Sequence, residues 1–155
     1  MKISYSWLKE HLDFNLDPIS TADILTDIGL EVERTETYEN IKGSLSGLVV
    51  GEILSIEKHP NADRLKVTSI DIGDNEVCEI VCGAPNIDKG QIVPVATVGS
   101  KIYTNQGEEI KIKKSKIRGV ISNGMVCAED EIGLGDSHEG IMVLEKNVKP
   151  GTPVS

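Results

Sequence analysis

The sequence predicts a mostly β fold: a five-stranded Greek-key barrel preceded by a small helical hairpin. Three observations carry that reading. From residue 48 onward, short β-branched runs alternate with turns rich in Gly, Asn and Asp. Helical periodicity is confined to the first thirty residues and one short insert near residue 130. Two polar loops, His59-Pro60-Asn61-Ala62-Asp63-Arg64-Leu65 and Ser122-Asn123-Gly124-Met125, are flanked by strand-like runs.

Residues 4–12 predict a short helix with Trp7, Leu8 and Leu12 on one face. A second helix is expected from Ser20 as N-cap, with Asp23 bringing negative charge to the first turn. Ile24, Leu25 and Ile28 form its apolar face, and Gly29 suits the left-handed residue after the last turn. This hairpin is too small to hold a core of its own. Its apolar face therefore has to pack on the barrel, pair weakly with a second copy, or stay loosely ordered. Glu31 to Tyr38 alternates weakly, as a strand does, and Asn40 to Gly47 is a Gly- and Ser-rich boundary.

Leu48–Ile56 is a long strand with a bend or bulge expected at Gly51. Leu65–Ile72 runs into the turn Gly73-Asp74-Asn75, and Val77–Val81 returns as its partner. Gln91–Val98 follows, then Glu109–Ile117 after the turn Asn105-Gln106-Gly107, and Gly140–Leu144 closes the set. A helical turn is expected around Cys127–Glu131, stopped by Gly133. In 109–117 parity fails: Ile110 and Ile112 are even and Ile117 is odd, so one strand of strict period two cannot bury all three. A bulge near Lys114–Ser115 restores the alternation and fans the cations outward.

A chain of 155 residues suffices for one good core and a small appendage, but not for a large catalytic domain in addition to a barrel. No run approaches the roughly 18 apolar residues of a spanning helix, and no basic-then-apolar leader precedes residue 20, so a cytoplasmic location is expected and no membrane partner. Three cysteines, an odd number, fit a reducing compartment. They include no Cys-x-x-Cys pair to organise zinc, and nothing pairs Cys127 with His138 as nucleophile and base. The glycines form neither a Walker loop nor a dinucleotide fingerprint. The acidic run Glu129-Asp130-Glu131 reads as a solvated helix edge.

Net charge is −9, which opposes binding to phosphates, but the charge is unevenly spread. Residues 1–40 hold three Lys/Arg against nine Asp/Glu; residues 41–155 hold thirteen against sixteen. Lys111, Lys113, Lys114, Lys116 and Arg118 place five cations in eight residues with no acid among them. That is either a phosphate-binding strip or a lysine-protected strand edge. In the first polar loop, His59, Asn61 and Arg64 can bond or stack on an unpaired nucleotide, or simply build a corner. In the second, Ser122 and Asn123 offer hydrogen-bonding groups, Gly124 permits close approach, and Met125 lies against a base or plugs the barrel. Tyr103 is the one aromatic residue after position 40, so base stacking contributes little.

The two loops, with Cys82-Gly83-Ala84-Pro85-Asn86 and Arg118-Gly119, resemble the OB-fold tRNA-binding module attached to several tRNA-charging enzymes. The opening from Met1 to Leu12, with Trp7-Leu8, and the stretch Leu25-Thr26-Asp27-Ile28-Gly29-Leu30-Glu31-Val32-Glu33 are similar to the N-terminus of bacterial phenylalanyl-tRNA synthetase β subunits. The resemblance implies an N-terminal fragment in which residues 1–40 are half of a discontinuous α+β domain. Residues 41–151 are then the OB-fold domain and 152–155 the start of the return segment. It further implies a non-catalytic portion of an assembly of two α and two β subunits, supporting ATP-dependent tRNA charging. ATP and magnesium serve an active site in the α subunit, and no catalytic residue or cofactor falls on this chain. Together these readings give as the candidate RNA-binding set His59, Asn61, Arg64, Lys66, Lys111, Lys113, Lys114, Lys116, Arg118, Ser122, Asn123 and Met125. Two alternatives compete: a free-standing tRNA-binding, chaperone-like homodimer, and an assembly module that touches no RNA.

Overall fold

The structure, a computed structural model, describes residues 1–43 and 45–154; Ser44 and Ser155, the latter in the expected return segment, lie outside the described residues. The chain divides into two compact units, Met1–Tyr38 and Glu39–Ser155.

The first unit holds two helices, α1 (Tyr5–His11) and α2 (Pro18–Asp27). Ser4 caps α1, its hydroxyl accepting from the Trp7 N–H. α2 begins before Ser20, because Asp17 is the stronger cap: its carboxylate accepts from the Ile19 and Ser20 N–H groups. Pro18 takes the first helical position, where a missing N–H costs nothing. The Ser20 hydroxyl also donates to Asp17 and helps hold that carboxyl below its ordinary value. Gly29 ends the helix with φ of 93°. The strand expected at Glu31–Tyr38 does not form; four of its eight residues are charged and the unit offers it no strand to pair with. No residue of either helix is buried, and Trp7, Leu12, Ile24 and Ile28 are exposed.

The second unit is a nearly closed antiparallel barrel. β1 (Leu48–Lys58), β2 (Lys66–Asp71), β3 (Val77–Cys82), β4 (Ile92–Thr97) and a late strand Gly124–Val126 form one sheet. Between β4 and that late strand lie β5 (Lys101–Tyr103), β6 (Glu109–Lys111), β7 (Ser115–Ile117) and β8 (Val120–Ser122), so the late strand is β9. The sheet order is β3-β2-β1-β4-β9, while β5–β6 and β7–β8 are separate hairpins. β3 and β9 are its edges. They are brought together at the corner after β8, where the Asn123 N–H donates to the Glu79 carbonyl (2.8 Å) and the Val81 N–H to the Ser122 hydroxyl (3.1 Å). This is the five-stranded Greek-key closure the sequence predicts.

Ile53, Ile70, Ile80, Val93, Val95 and Val126 fill the barrel. Thr68 is buried among them with its hydroxyl donating to the Ile80 carbonyl (2.8 Å). A second cluster, Leu48, Ala96, Ile102, Ile112, Cys127 and Ile132, lies on the other face of β4. Every residue from Ile92 to Ala96 is therefore buried, which is why β4 reads as an unbroken apolar run. Pro94 is tolerated there because its partner Val50 sends both backbone groups elsewhere. The Val50 N–H donates to Thr152, and the Val50 carbonyl accepts from Gly151. Residues 151–154 thus run along the free edge of early β1, ending with the Val154 N–H on the Leu48 carbonyl (3.1 Å).

Three further expectations, all in the barrel, are corrected. The irregularity in β1 lies between Ile53 and Ser55, not at Gly51. Glu109–Ile117 is two strands in two different hairpins, and the break at 112–114 takes the place of the bulge expected near Lys114–Ser115: Ile110 and Ile112 pack in the second core, while Ile117 belongs to β7. Gly140–Leu144 is not a strand; it makes a single bridge from Leu144 to Ile92, and β9 supplies the fifth strand. The expected helical turn is a 3₁₀ turn at Asp130–Ile132, ended by Gly133 at φ of 71°.

Gly51 serves close packing. A Cβ there would stand 2.6 Å from Ile70 Cγ2 and 2.8 Å from Val95 Cγ2, both in the core. Gly51→Ala is expected to cost about 1–3 kcal/mol in urea denaturation. An unchanged midpoint refutes this packing role.

Candidate nucleic-acid interface

The two polar regions singled out in the sequence meet. In the loop after β1, the His59 N–H donates to the Leu65 carbonyl, which folds the segment into a corner. His59 is only 4% exposed. Its Nδ1 accepts from the Asn61 N–H (3.1 Å), which leaves the ring proton on Nε2, where it donates to the Ile117 carbonyl (3.0 Å). The Asn61 side-chain amide donates to the next carbonyl, that of Arg118 (3.1 Å). Two adjacent carbonyls at the tip of the β7–β8 hairpin are thus gripped from the β1–β2 loop.

That tip is a two-residue turn with positive φ at both positions, 45° at Arg118 and 101° at Gly119. Such turns match the twist of the flanking strands but favour glycine. Arg118 pays about 1–2 kcal/mol for the left-handed conformation, and its gripped carbonyl helps hold it there. At the hairpin's other end Ser122 is 1% exposed. Its hydroxyl accepts from Val81 and donates to the Gly124 carbonyl (3.0 Å).

Arg64, Lys111, Lys113, Lys114, Lys116 and Arg118 are exposed. Among the described residues, none of these cations forms an ion pair; the lysine nearest the strip that does so is Lys101, which meets Glu109 (3.0 Å) across from Lys111. Lys66 is engaged, its ammonium donating to the Ile87 carbonyl (3.2 Å). Asn123 is half-buried with its backbone N–H spent on β3, and Met125 packs on the second core. Of the residues read from sequence, the structure joins Asn61 to Arg118 and His59 to the neighbouring Ile117. It gives His59, Ser122 and Met125 interior partners. Arg64 and the cations from 111 to 118 are left facing solvent.

Two features escaped the sequence reading. Asn86 uses both ends of its amide on the backbone of Ile141 (2.9 Å each), standing in for a strand partner; the Cys82–Asn86 motif was its only signal. The outer face of β1–β3 carries Glu52, Glu57, Asp71 and Glu79, with no cation at the positions between them. Strand parity would have revealed it, once the register was known.

Burial raises all three thiols, that of Cys127 to about 12, so thiolate is scarce at neutral pH. Among the described residues no three His, Cys, Asp or Glu side chains converge as a metal site. His138, on the surface, is paired with Asp130 (2.9 Å), a contact that raises its pKa.

The family description "Putative tRNA binding domain" matches residues 48–153. The chain is 56% identical over 153 residues to the phenylalanine–tRNA ligase beta subunit of Bacteroides thetaiotaomicron, covering 98% of this chain and 18% of that protein. The corresponding subunit of Porphyromonas gingivalis is 51% identical over 155 residues, all of this chain and 19% of the relative. The chain therefore spans about a fifth of the length of these curated relatives. Among solved structures, a MetRS related protein from Pyrococcus horikoshii shares the fold, with a TM-score of 0.53 at 20% identity, covering 78% of this chain and all of the other.

Alkylation with iodoacetamide at pH 8 is expected to label partly exposed Cys78 first and to reach Cys82 and Cys127 only on unfolding. Rapid labelling of Cys127 in the folded chain contradicts this account of its burial.

Proposed function

We infer the function of this chain from its family: it belongs to the "Putative tRNA binding domain" family. We propose that it binds tRNA through the cationic rim of its barrel, as the N-terminal, non-catalytic part of a phenylalanine–tRNA ligase β subunit. In this reading the barrel works in the cytoplasm, within an assembly of two α and two β subunits. ATP and magnesium belong to that assembly.

One observation carries the proposal. Lys111, Lys113, Lys114, Lys116 and Arg118 stand exposed, free of ion pairs among the described residues, on and beside a hairpin fixed at both ends. Cations that need not be stripped from an acid partner are ready to replace counterions on a phosphate backbone. The outer strand face, where such barrels often take oligonucleotides, is acidic here, so the rim is the attractive surface. With Tyr103 the one aromatic of the second unit, binding by that unit rests on phosphate contacts and RNA shape more than on stacked bases. Tyr103 is occupied: Lys42 lies 4.8 Å over its ring, and its hydroxyl donates to Glu109.

A second reading, an assembly module that contacts no RNA, draws on the same acidic face and the net charge of −9. The two separate in one titration. For tRNA binding through three or four phosphates, log affinity falls against log salt with a slope of roughly −2 to −4. Lys113→Glu with Lys116→Glu is expected to abolish binding and leave Tm nearly unchanged, since both side chains are exposed. Unaltered tRNA affinity in that double variant favours the assembly module.

A further inference from the structure

We propose that His59 and Asn61 are positioning residues for RNA: they touch none of it, and they set affinity by holding the tip of the β7–β8 hairpin, and with it Lys116 and Arg118, at a fixed place on the rim. This rests on the reading that the rim binds RNA, and it changes the role those two side chains have in it.

The geometry points one way. His59 is 4% exposed and both ring nitrogens are spent, one within its own loop and one on Ile117, so it has no group to offer a ligand. The Asn61 amide is spent on Arg118. The two carbonyls they hold belong to consecutive residues, and the second lies in the left-handed turn that a non-glycine residue leaves most readily. Gly119 is part of the same fit, for a Cβ there would stand 3.3 Å from Asn61 Nδ2. The β7–β8 hairpin is isolated from the main sheet ladder and only three residues long on each side. A two-stranded hairpin of that length is marginal without outside support. Its base is secured by Ser122 and Asn123 on β3, and its tip by His59 and Asn61. With the tip released, Lys116 and Arg118 remain on the chain, but each phosphate contact has to be made against the entropy of ordering the turn.

The two ring nitrogens can be tested apart. His59→Gln keeps a donor near the position of Nε2, whereas His59→Asn keeps an acceptor near Nδ1 and loses the reach to Ile117. Asn61→Ala, at an exposed position, removes the second grip without disturbing the interior and covers the case in which His59→Asn folds poorly. Affinity of the whole chain for bulk tRNA is measured across salt for each variant, alone and combined with Lys116→Ala and Arg118→Ala. Hydrogen exchange of the amides of 115–120 is followed without RNA.

In His59→Asn and Asn61→Ala those amides should exchange at least tenfold faster than in the parent chain. The salt slope should fall by about 1.4–1.8 if both hairpin contacts are lost. His59→Gln should recover most of the affinity. The loss should shrink when Lys116 and Arg118 are already alanine, because residues acting through one contact are not additive. Unchanged hairpin exchange in both variants overturns the proposal whether or not RNA binds. An affinity loss that persists in full without Lys116 and Arg118 overturns it as well, by making His59 or Asn61 a direct contact. A parent chain with no salt-dependent tRNA binding sinks the proposed function instead, and the exchange data still decide the grip.

Discussion

A sheet becomes a barrel only where its two edge strands meet, and here that meeting rests on a hydroxyl and an amide. Ser122 and Asn123 lend β3 the partners that β9 is too short to supply along its length. Everything else follows from that seam. It leaves the interior isoleucines and valines enclosed on all sides. It also fixes where β8 ends, hence where the hairpin bearing Lys116 and Arg118 joins the barrel. A serine that looked like a ligand group is a structural joint, and the likeness has a physical cause. A small hydroxyl that both donates and accepts is as useful for bridging two backbones as for meeting a substrate.

The charge pattern follows the same division. The chain is acidic overall, yet five of its cations are gathered between residues 111 and 118 while its strand face carries carboxylates. Such a surface orients an approaching polyanion before any contact forms, since the face repels what the rim attracts. Net charge alone argues against phosphate binding; its arrangement is what the proposed rim site rests on.

Much of the fold could be read from residues because burial leaves a periodic trace. β1 to β4 were found within a few residues of their ends. Short range explains the errors. Asp17 outranks Ser20 as a cap because Pro18 behind it can start a helix. Gly124–Val126 is three residues with no β-branched run to announce it, whereas Gly140–Leu144 looks the part and finds only one bridge. The candidate site was legible as two motifs and illegible as one object. The partners of His59 and Asn61 lie 58 and 57 residues away, and they are backbone carbonyls, which no sequence pattern marks. The exposed cations were easier, since five like charges in eight residues cannot all be buried.

One further property follows from the last strand-like segment. Leu48 and Val154, the first and last described residues of the barrel's own pairing, are joined by a hydrogen bond. An object whose ends leave side by side displaces nothing in the chain that carries it. To a host polypeptide it is a loop of more than a hundred residues with almost no gap between its feet. Because it folds on its own core, it imposes little of the closure penalty that a disordered loop of that length would impose. Termini set this close are what lets a folded unit sit at a surface turn of a longer chain without disturbing that chain's own strands and helices.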